Sequence, residues 1–176
     1  MTPLAIRTPR ILLRRFDGMR ADEPGFMLQL LNEPSFLRHI GDRGVRTLEA
    51  ARDYIAMGPL QSYQRHGFGM NMVELAATGQ SVGVCGLVKR DSLPEPDLGY
   101  ALMPAYCGHG YAAEAAAAVL AGARESLRID RILAITDPDN AASIALLLKL
   151  GFEFESMLQL TPGEKHLRLY ASQGNG

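Results

Sequence analysis

The chain has 176 residues and a formal net charge of −1, with 47% hydrophobic and 21% charged residues. That length fits one domain, because two would each bury too little surface, and the composition is that of a globular protein with a real core. The 18 Lys and Arg are scattered, which argues against a nucleic-acid partner, and no apolar run approaches the ~20 residues that span a bilayer. Cys85 and Cys107 support neither a disulfide framework nor a metal cluster. The opening Met1-Thr2-Pro3-Leu4-Ala5-Ile6-Arg7 has no signal-peptide core. The expectation is a cytoplasmic, metal-free protein with no membrane partner, either a monomer or a homodimer.

In chain order, Arg10 to Phe16 reads as a first strand. Asp22 to Leu31 has helical spacing, with Asp22 and Glu23 suited to a helix start. Phe36 to Val45 holds two glycines and mixed charges and reads as a loop. Thr47 caps a second helix running to about Gln64, interrupted or ended near Gly58-Pro59. Phe68 to Leu75 and Ser81 to Val88 form a hairpin about Ala77-Thr78-Gly79-Gln80. Leu98 to Met103 is a strand closed by Pro104, and Gly110 to Leu127 an alanine-rich helix able to pack closely on a sheet. Arg131 to Thr136 is a buried-type strand, and Ala141 to Leu150 a short apolar helix stopped by Gly151. Phe152 to Leu160 and His166 to Tyr170 close the domain as strands, and Gln173 to Gly176 reads as frayed. The order β-α-α-β-β-β-α-β-α-β-β is a mixed α/β domain without regular βαβ alternation.

The most informative stretch is Asp97-Leu98-Gly99-Tyr100-Ala101-Leu102-Met103-Pro104-Ala105-Tyr106-Cys107-Gly108-His109-Gly110-Tyr111-Ala112-Ala113-Glu114, which runs strand, glycine turn, helix start. A helix start leaves N–H groups unpaired at the positive end of the macrodipole, and glycines let that backbone approach a ligand, so the arrangement suits a pyrophosphate. An isolated G-x-G is more often a plain turn. The letters also satisfy a G-x-G-x-x-A dinucleotide fingerprint with Asp130 downstream. That reading needs further βαβ repeats for which too little chain remains, and it leaves a dinucleotide-dependent oxidoreductase as a weak alternative.

The same stretch resembles the GNAT superfamily of N-acetyltransferases, whose acetyl-CoA loop reads Gln/Arg-x-x-Gly-x-Gly/Ala after a strand. Cys107-Gly108-His109-Gly110-Tyr111-Ala112 matches at the glycine and the alanine and departs at the first position. The words DLGYALMPAYCGHGYAAEA, with PRILLRRF, SVGVCGL and DNAASIALLLKLGF elsewhere, are similar to the RimJ/RimL-like branch, which acetylates protein N-termini and small amines. The resemblance implies a mostly antiparallel sheet of about six to seven strands, splayed at the acetyl-CoA site and flanked by about four helices. It implies that the backbone of Leu102 and Met103 meets the pantetheine arm. Cys107, Gly108, His109, Gly110, Tyr111 and Ala112 would then line the pyrophosphate. No metal is expected.

Asp137-Pro138-Asp139-Asn140-Ala141-Ala142-Ser143 closes a strand and opens a helix, so Asp139 or Asn140 reads as an N-cap and Ser143 as a residue of the first turn. In the family pattern the asparagine, here Asn140, contacts pantetheine. The tyrosine that commonly protonates the departing thiolate falls at Leu147 and is absent, which leaves Ser143 as the candidate hydrogen-bond donor to sulfur. On that reading Ser143 serves turnover and Asn140 serves binding. The attacking amine must be neutral, and Asp97 is the candidate base, with a solvated acid in Glu95-Pro96-Asp97 as the plain alternative. Glu114 reads as a first-turn acid. No base accompanies Cys107, so direct transfer to a primary amine is favoured over an acyl-enzyme. The acceptor is a protein N-terminus or a small molecule. The alternative from another class is a non-catalytic acyl-CoA-binding module.

Overall fold

The computed structural model describes residues 5–174, so the first four residues of the leader reading and two of the four expected to fray lie outside it. Among the described residues eight strands form one sheet: β1 (Ala5–Arg7), β2 (Ile11–Arg15), β3 (Met70–Leu75), β4 (Ser81–Val88), β5 (Asp97–Leu102), β6 (Ile132–Thr136), β7 (Glu153–Leu158) and β8 (Leu167–Ser172). Their spatial order is β1-β2-β3-β4-β5-β6-β8-β7. Among the described residues every neighbouring pair is antiparallel except β5 with β6. This is the mixed, mostly antiparallel sheet expected, with eight strands where six to seven were predicted. The added strand is β1, whose three residues are too short to show a period.

Two helical layers cover the sheet. On one face lie α5 (Tyr111–Leu127) and α6 (Ala141–Lys149). Fully buried Ala115 and Ala116 let α5 settle close to Ile11, Val82 and Cys85 of the strands. On the other face α1 (Asp22–Leu31) and α3 (Leu48–Ile55) bury Met27, Leu30, Leu31, Ala51 and Ile55 against Phe16, Met72 and Val84. The stretch expected as a loop, Phe36 to Val45, begins inside α2 (Pro34–His39), whose Pro34 sits in the first turn and whose Phe36 anchors it. At six residues it is too short for periodicity to reveal.

Thr47 caps α3 through its side chain, accepting from Ala50 N at 3.0 Å. Pro59 does not break the rod. The helix widens into a π turn over Ala56–Leu60 and continues as α4 (Gln61–His66), ending at Gly67 with φ +76°. A wider turn tolerates the missing proline N–H.

Glu23 was expected to serve the dipole of α1, but it is fully buried. Its carboxylate takes Arg14 Nη1 at 2.7 Å and Gly18 N at 3.2 Å. The same guanidinium donates to Glu74 at 2.8 Å. One arginine thus compensates two buried carboxylates and pins α1 to β2 and β3 (a buried charge without its partner costs several kcal/mol). Arg14→Ala should therefore lower stability by about 3–5 kcal/mol in urea unfolding. A loss under about 0.5 kcal/mol, the size of an ordinary surface effect, would show that the network does not hold the layer.

Candidate active site

The parallel neighbours β5 and β6 share one pair, Asp97 opposite Leu133. That end is fastened by Leu133 N donating to Pro96 O at 2.9 Å and by the Arg131–Glu95 ion pair at 3.4 Å. Beyond it the strands part, leaving a notch. Hydrogen-bond parity decides which groups face it. Met103 N donates to Val82 O at 2.8 Å, so the residues of β5 bonded to β4 are the odd ones, and the peptide groups of Tyr100 and Leu102 point the other way, into the notch. Leu102 sits where a pantetheine contact was expected. Met103 does not: its N–H is spent on Val82, its carbonyl takes Tyr106 N at 2.9 Å, and its side chain packs against the α1/α3 layer. The other peptide group of β5 that faces the notch is that of Tyr100.

After β5 the chain makes a 3-10 turn over Pro104–Tyr106 and enters the loop that precedes α5. Gly108 and Gly110 have φ of +79° and +82°, a region only glycine adopts freely. Gly110 is the N-cap of α5, so the N–H groups of Tyr111, Ala112 and Ala113 begin the helix without carbonyl partners. A Cβ at Gly108 would meet nothing within 4 Å, so the loop is open on the side a ligand would use. Cys107 departs from expectation. Its N–H is committed to Pro104 O at 3.2 Å and its exposed thiol makes only a 3.8 Å contact to Met103 O. Partial desolvation of the sulfur moves its pKa up, away from a nucleophilic thiolate.

The loop is held from a distance. Arg10 donates through Nη1 to His109 O at 2.8 Å and through Nε to Glu114 at 2.7 Å, and its guanidinium lies 4.7 Å from the centre of the Tyr111 ring. Glu114 also takes Thr8 Oγ1 at 2.6 Å and Arg10 N at 2.9 Å. Burial works to raise its pKa, but these donors outweigh it and hold the carboxyl below its ordinary range. The first-turn acid is therefore a clamp as well as a partner of the dipole. His109 is exposed, 5.9 Å from the Tyr111 ring centre.

Across the notch, Asn140 is the N-cap of α6, its Oδ1 accepting from Ser143 N at 3.2 Å. This leaves its amide NH2 to donate to a ligand. Ser143 Oγ lies 2.7 Å from the Tyr100 hydroxyl. Leu147 is 1% exposed and forms part of the core under α6.

On the opposite face a cleft of about 640 Å³ runs from α1–α4 to the notch. Met27, Leu31, Phe36 and Tyr54 line its outer wall, and it reaches Asn140 and Ser143 at its back. Asp97 borders it, but not as a solvated turn residue. It is 1% exposed and bonded to Arg90 Nε at 3.0 Å. Burial raises its pKa, and Arg90 only partly offsets this. At the rim, buried Asp137 takes Lys165 Nζ at 2.5 Å and faces His39 Nδ1 at 3.4 Å, tying α2 to the segment before β8. Burial favours the neutral acid there, but Lys165, the Asp139 N–H and His39 prevail and lower its pKa.

Residues 10–153 match the family model of the acetyltransferase (GNAT) domain. The chain is a GNAT acetyltransferase. An N-acetyltransferase called p20 from Bacillus licheniformis, itself uncharacterized, is 27% identical over 153 residues, covering 86% of this chain and 84% of that protein. Two solved structures share the fold. The self-immunity acetyltransferase MccE, in complex with acetyl-CoA and AMP, has a TM-score of 0.80 at 19% identity over 98% of this chain and 97% of its own. The Salmonella typhimurium acetyltransferase that modifies the N-terminal serine of ribosomal protein L7/L12 has a TM-score of 0.79 at 18% identity over 99% of both chains. The Rossmann alternative fails on the fold: Asp130 precedes β6 and lies against Gly174, and the sheet is not doubly wound.

Of the candidate residues read from the sequence, Gly108, Gly110, Tyr111 and Ala112 lie in the loop and first turn that open α5, and Asn140, Ser143 and Leu102 border the notch. Tyr100 and Arg10 stand beside them and were not named from sequence. Among the described residues no cluster with metal-ligand character occurs, and no helix is long and apolar enough to cross a membrane. If Arg10 holds the loop ready, Arg10→Ala should weaken CoA binding about three- to tenfold, on the order of 1 kcal/mol. Calorimetric titration of the folded variant with CoA checks this, and unchanged affinity would contradict it.

Proposed function

We propose that the protein transfers an acetyl group from acetyl-CoA to a primary amine by direct attack, with the α-amine of a protein N-terminus as the favoured acceptor. The observation that carries this reading is the notch, because it joins two differently equipped faces of the sheet. On the α5/α6 side the chain offers helix-start N–H groups for a pyrophosphate. Along the notch the peptide groups of Leu102 and Tyr100 and the Asn140 amide offer donors and acceptors to a pantetheine chain. The thioester would then lie where the notch meets the cleft, with Ser143 beside the sulfur.

On the cleft side Asp97 is the base. The carboxylate must be ionised to take a proton, and burial brings its pKa closer to that of an amine. Strand geometry puts Asp97 about 10 Å along β5 from Tyr100, so the proton reaches it through water. Direct attack is favoured over an acyl-enzyme because Cys107, with its raised pKa, lacks a neighbouring base. An α-amine suits a modest base, since its pKa of about 8 is well below the ~10.4 of a lysine side chain. The mainly apolar outer wall of the cleft suits the side chains that follow such an N-terminus.

The experiment is thiol release from acetyl-CoA in the presence of N-terminal peptides, amino acids, polyamines and aminoglycosides. Peptide α-amines should accelerate release most. CoA binding with no acceleration by any amine would make the protein a binding module. Asp97→Asn should lower kcat/KM by about 10²-fold, within the usual range for a general base. It should also remove the acidic limb of the pH profile, which in the wild type lies above the ordinary carboxylate pKa because burial raises Asp97. An acidic limb that survives the substitution would assign the base elsewhere.

A further inference from the structure

The tyrosine that this family commonly places on the helix after the notch is replaced by Leu147, which is 1% exposed and packed in the core. A different tyrosine approaches the same point from the sheet. Tyr100 leaves β5 on the face covered by α5 and α6, where its ring packs against the buried core. Its hydroxyl stands 2.7 Å from Ser143 Oγ, across 43 residues of sequence. We propose that Tyr100 is a positioning and proton-supplying residue for Ser143, so that the two hydroxyls together do what a single tyrosine does elsewhere in the family. This inference rests on the acetyl-transfer reading above.

Counting hydrogens supports the direction. The pair has two O–H hydrogens and spends one on the bond between them, so one oxygen keeps a hydrogen to give away. The phenol is far more acidic than the alcohol and is the natural donor within the pair. Ser143 then keeps its own hydrogen, and its oxygen borders the cleft at the notch, where the thioester sulfur is expected. Ser143 alone is a poor acid, because giving its proton to a thiolate whose conjugate acid has a pKa of only ~8.5 would leave a far more basic alkoxide in its place. With Tyr100 behind it, the charge ends on a phenolate whose ordinary pKa is ~10, a far smaller climb. Burial raises the phenol's pKa above that ordinary value, which keeps it protonated as a donor must be and enlarges the climb, but a phenolate is still far less basic than a serine alkoxide.

The step balances. The amine nitrogen bonds to the acyl carbon, the C–S bond breaks, and its electron pair goes to sulfur. Sulfur takes the Ser143 proton, and Ser143 takes the Tyr100 proton. Asp97 takes the amine proton and returns it to solvent, and solvent restores Tyr100.

The test is a double-mutant cycle on variants shown by melting to be folded. Tyr100→Phe keeps the ring and its packing and should lower kcat on the order of tenfold to a hundredfold, at or below the loss of one oxyanion-type donor. The KM for acetyl-CoA should stay within about twofold, as expected for an interaction made only in the transition state. On a Ser143→Ala background the same change should cost little more, because residues acting as a unit are not additive. An acetyl thioester of an acidic aromatic thiol, whose thiolate leaves without a proton, should lose little kcat/KM in Tyr100→Phe. Additive losses, a loss confined to KM, or an equal loss with the acidic thiol would overturn the proposal. A wild type that turns over with Tyr100→Phe unaffected sinks this inference alone. A wild type without amine-dependent turnover sinks the functional reading and this inference with it.

Discussion

The site depends on the separation of two neighbouring strands. Peptide groups inside a sheet pair almost without exception, and between β5 and β6, two interior strands, pairing stops after the one register pair of Asp97 and Leu133. The unpaired edge is tolerable because it faces a cleft where a ligand or water can complete it. Pantetheine, an extended chain with two amides, has the hydrogen-bonding habit of a strand. The notch therefore offers it the place that a longer β6 partner would have taken.

The separation also sorts the chemistry by face. Side chains alternate along β5, so Tyr100 joins the α5/α6 layer while Ala101 and Met103 join the α1/α3 layer. Asp97 shares the parity of Ala101. The hydroxyl proposed to serve the sulfur and the carboxylate proposed to serve the amine are thereby carried by one strand but kept on opposite sides of the sheet. The two clamps outside the notch have related tasks. Arg10 with Glu114 fixes the loop before α5, and Asp137 with Lys165 and His39 fixes the rim of the cleft. Both use buried or half-buried carboxylates, which hold their partners firmly because losing the partner would strand a charge.

Much of the fold was legible in the sequence because its signals are local. The alanine-rich helix, the β3–β4 hairpin and the start of α6 are each announced by composition or a turn within a few residues. Gly108 and Gly110 were named as candidates from a local glycine turn, and Asn140 and Ser143 from the short stretch that carries the family resemblance. What escaped is what depends on register or long reach. Met103 was assigned to the ligand in place of Tyr100 because which residues of β5 face outward is decided by the pairing with Val82, which composition cannot reveal. The Tyr100–Ser143 bond spans 43 residues and the Arg10–Glu114 pair 104. A solvated turn acid stayed open as the alternative for Asp97 because the partner that buries with it, Arg90, sits on the far side of a loop. The helix α2 was missed because six residues are too few to show a period.

The central claim is that the free edge of β5 is the seat of the acyl donor. Amide hydrogen exchange resolved at single residues, with and without CoA, tests it most directly. Without ligand, Tyr100 and Leu102 should exchange fast, and Ala101, paired to Val84, slowly. Saturating CoA should slow Tyr100 and Leu102 while leaving Ala101 nearly unchanged. Slow exchange at Tyr100 and Leu102 without CoA, or no protection when CoA is bound, would contradict the account.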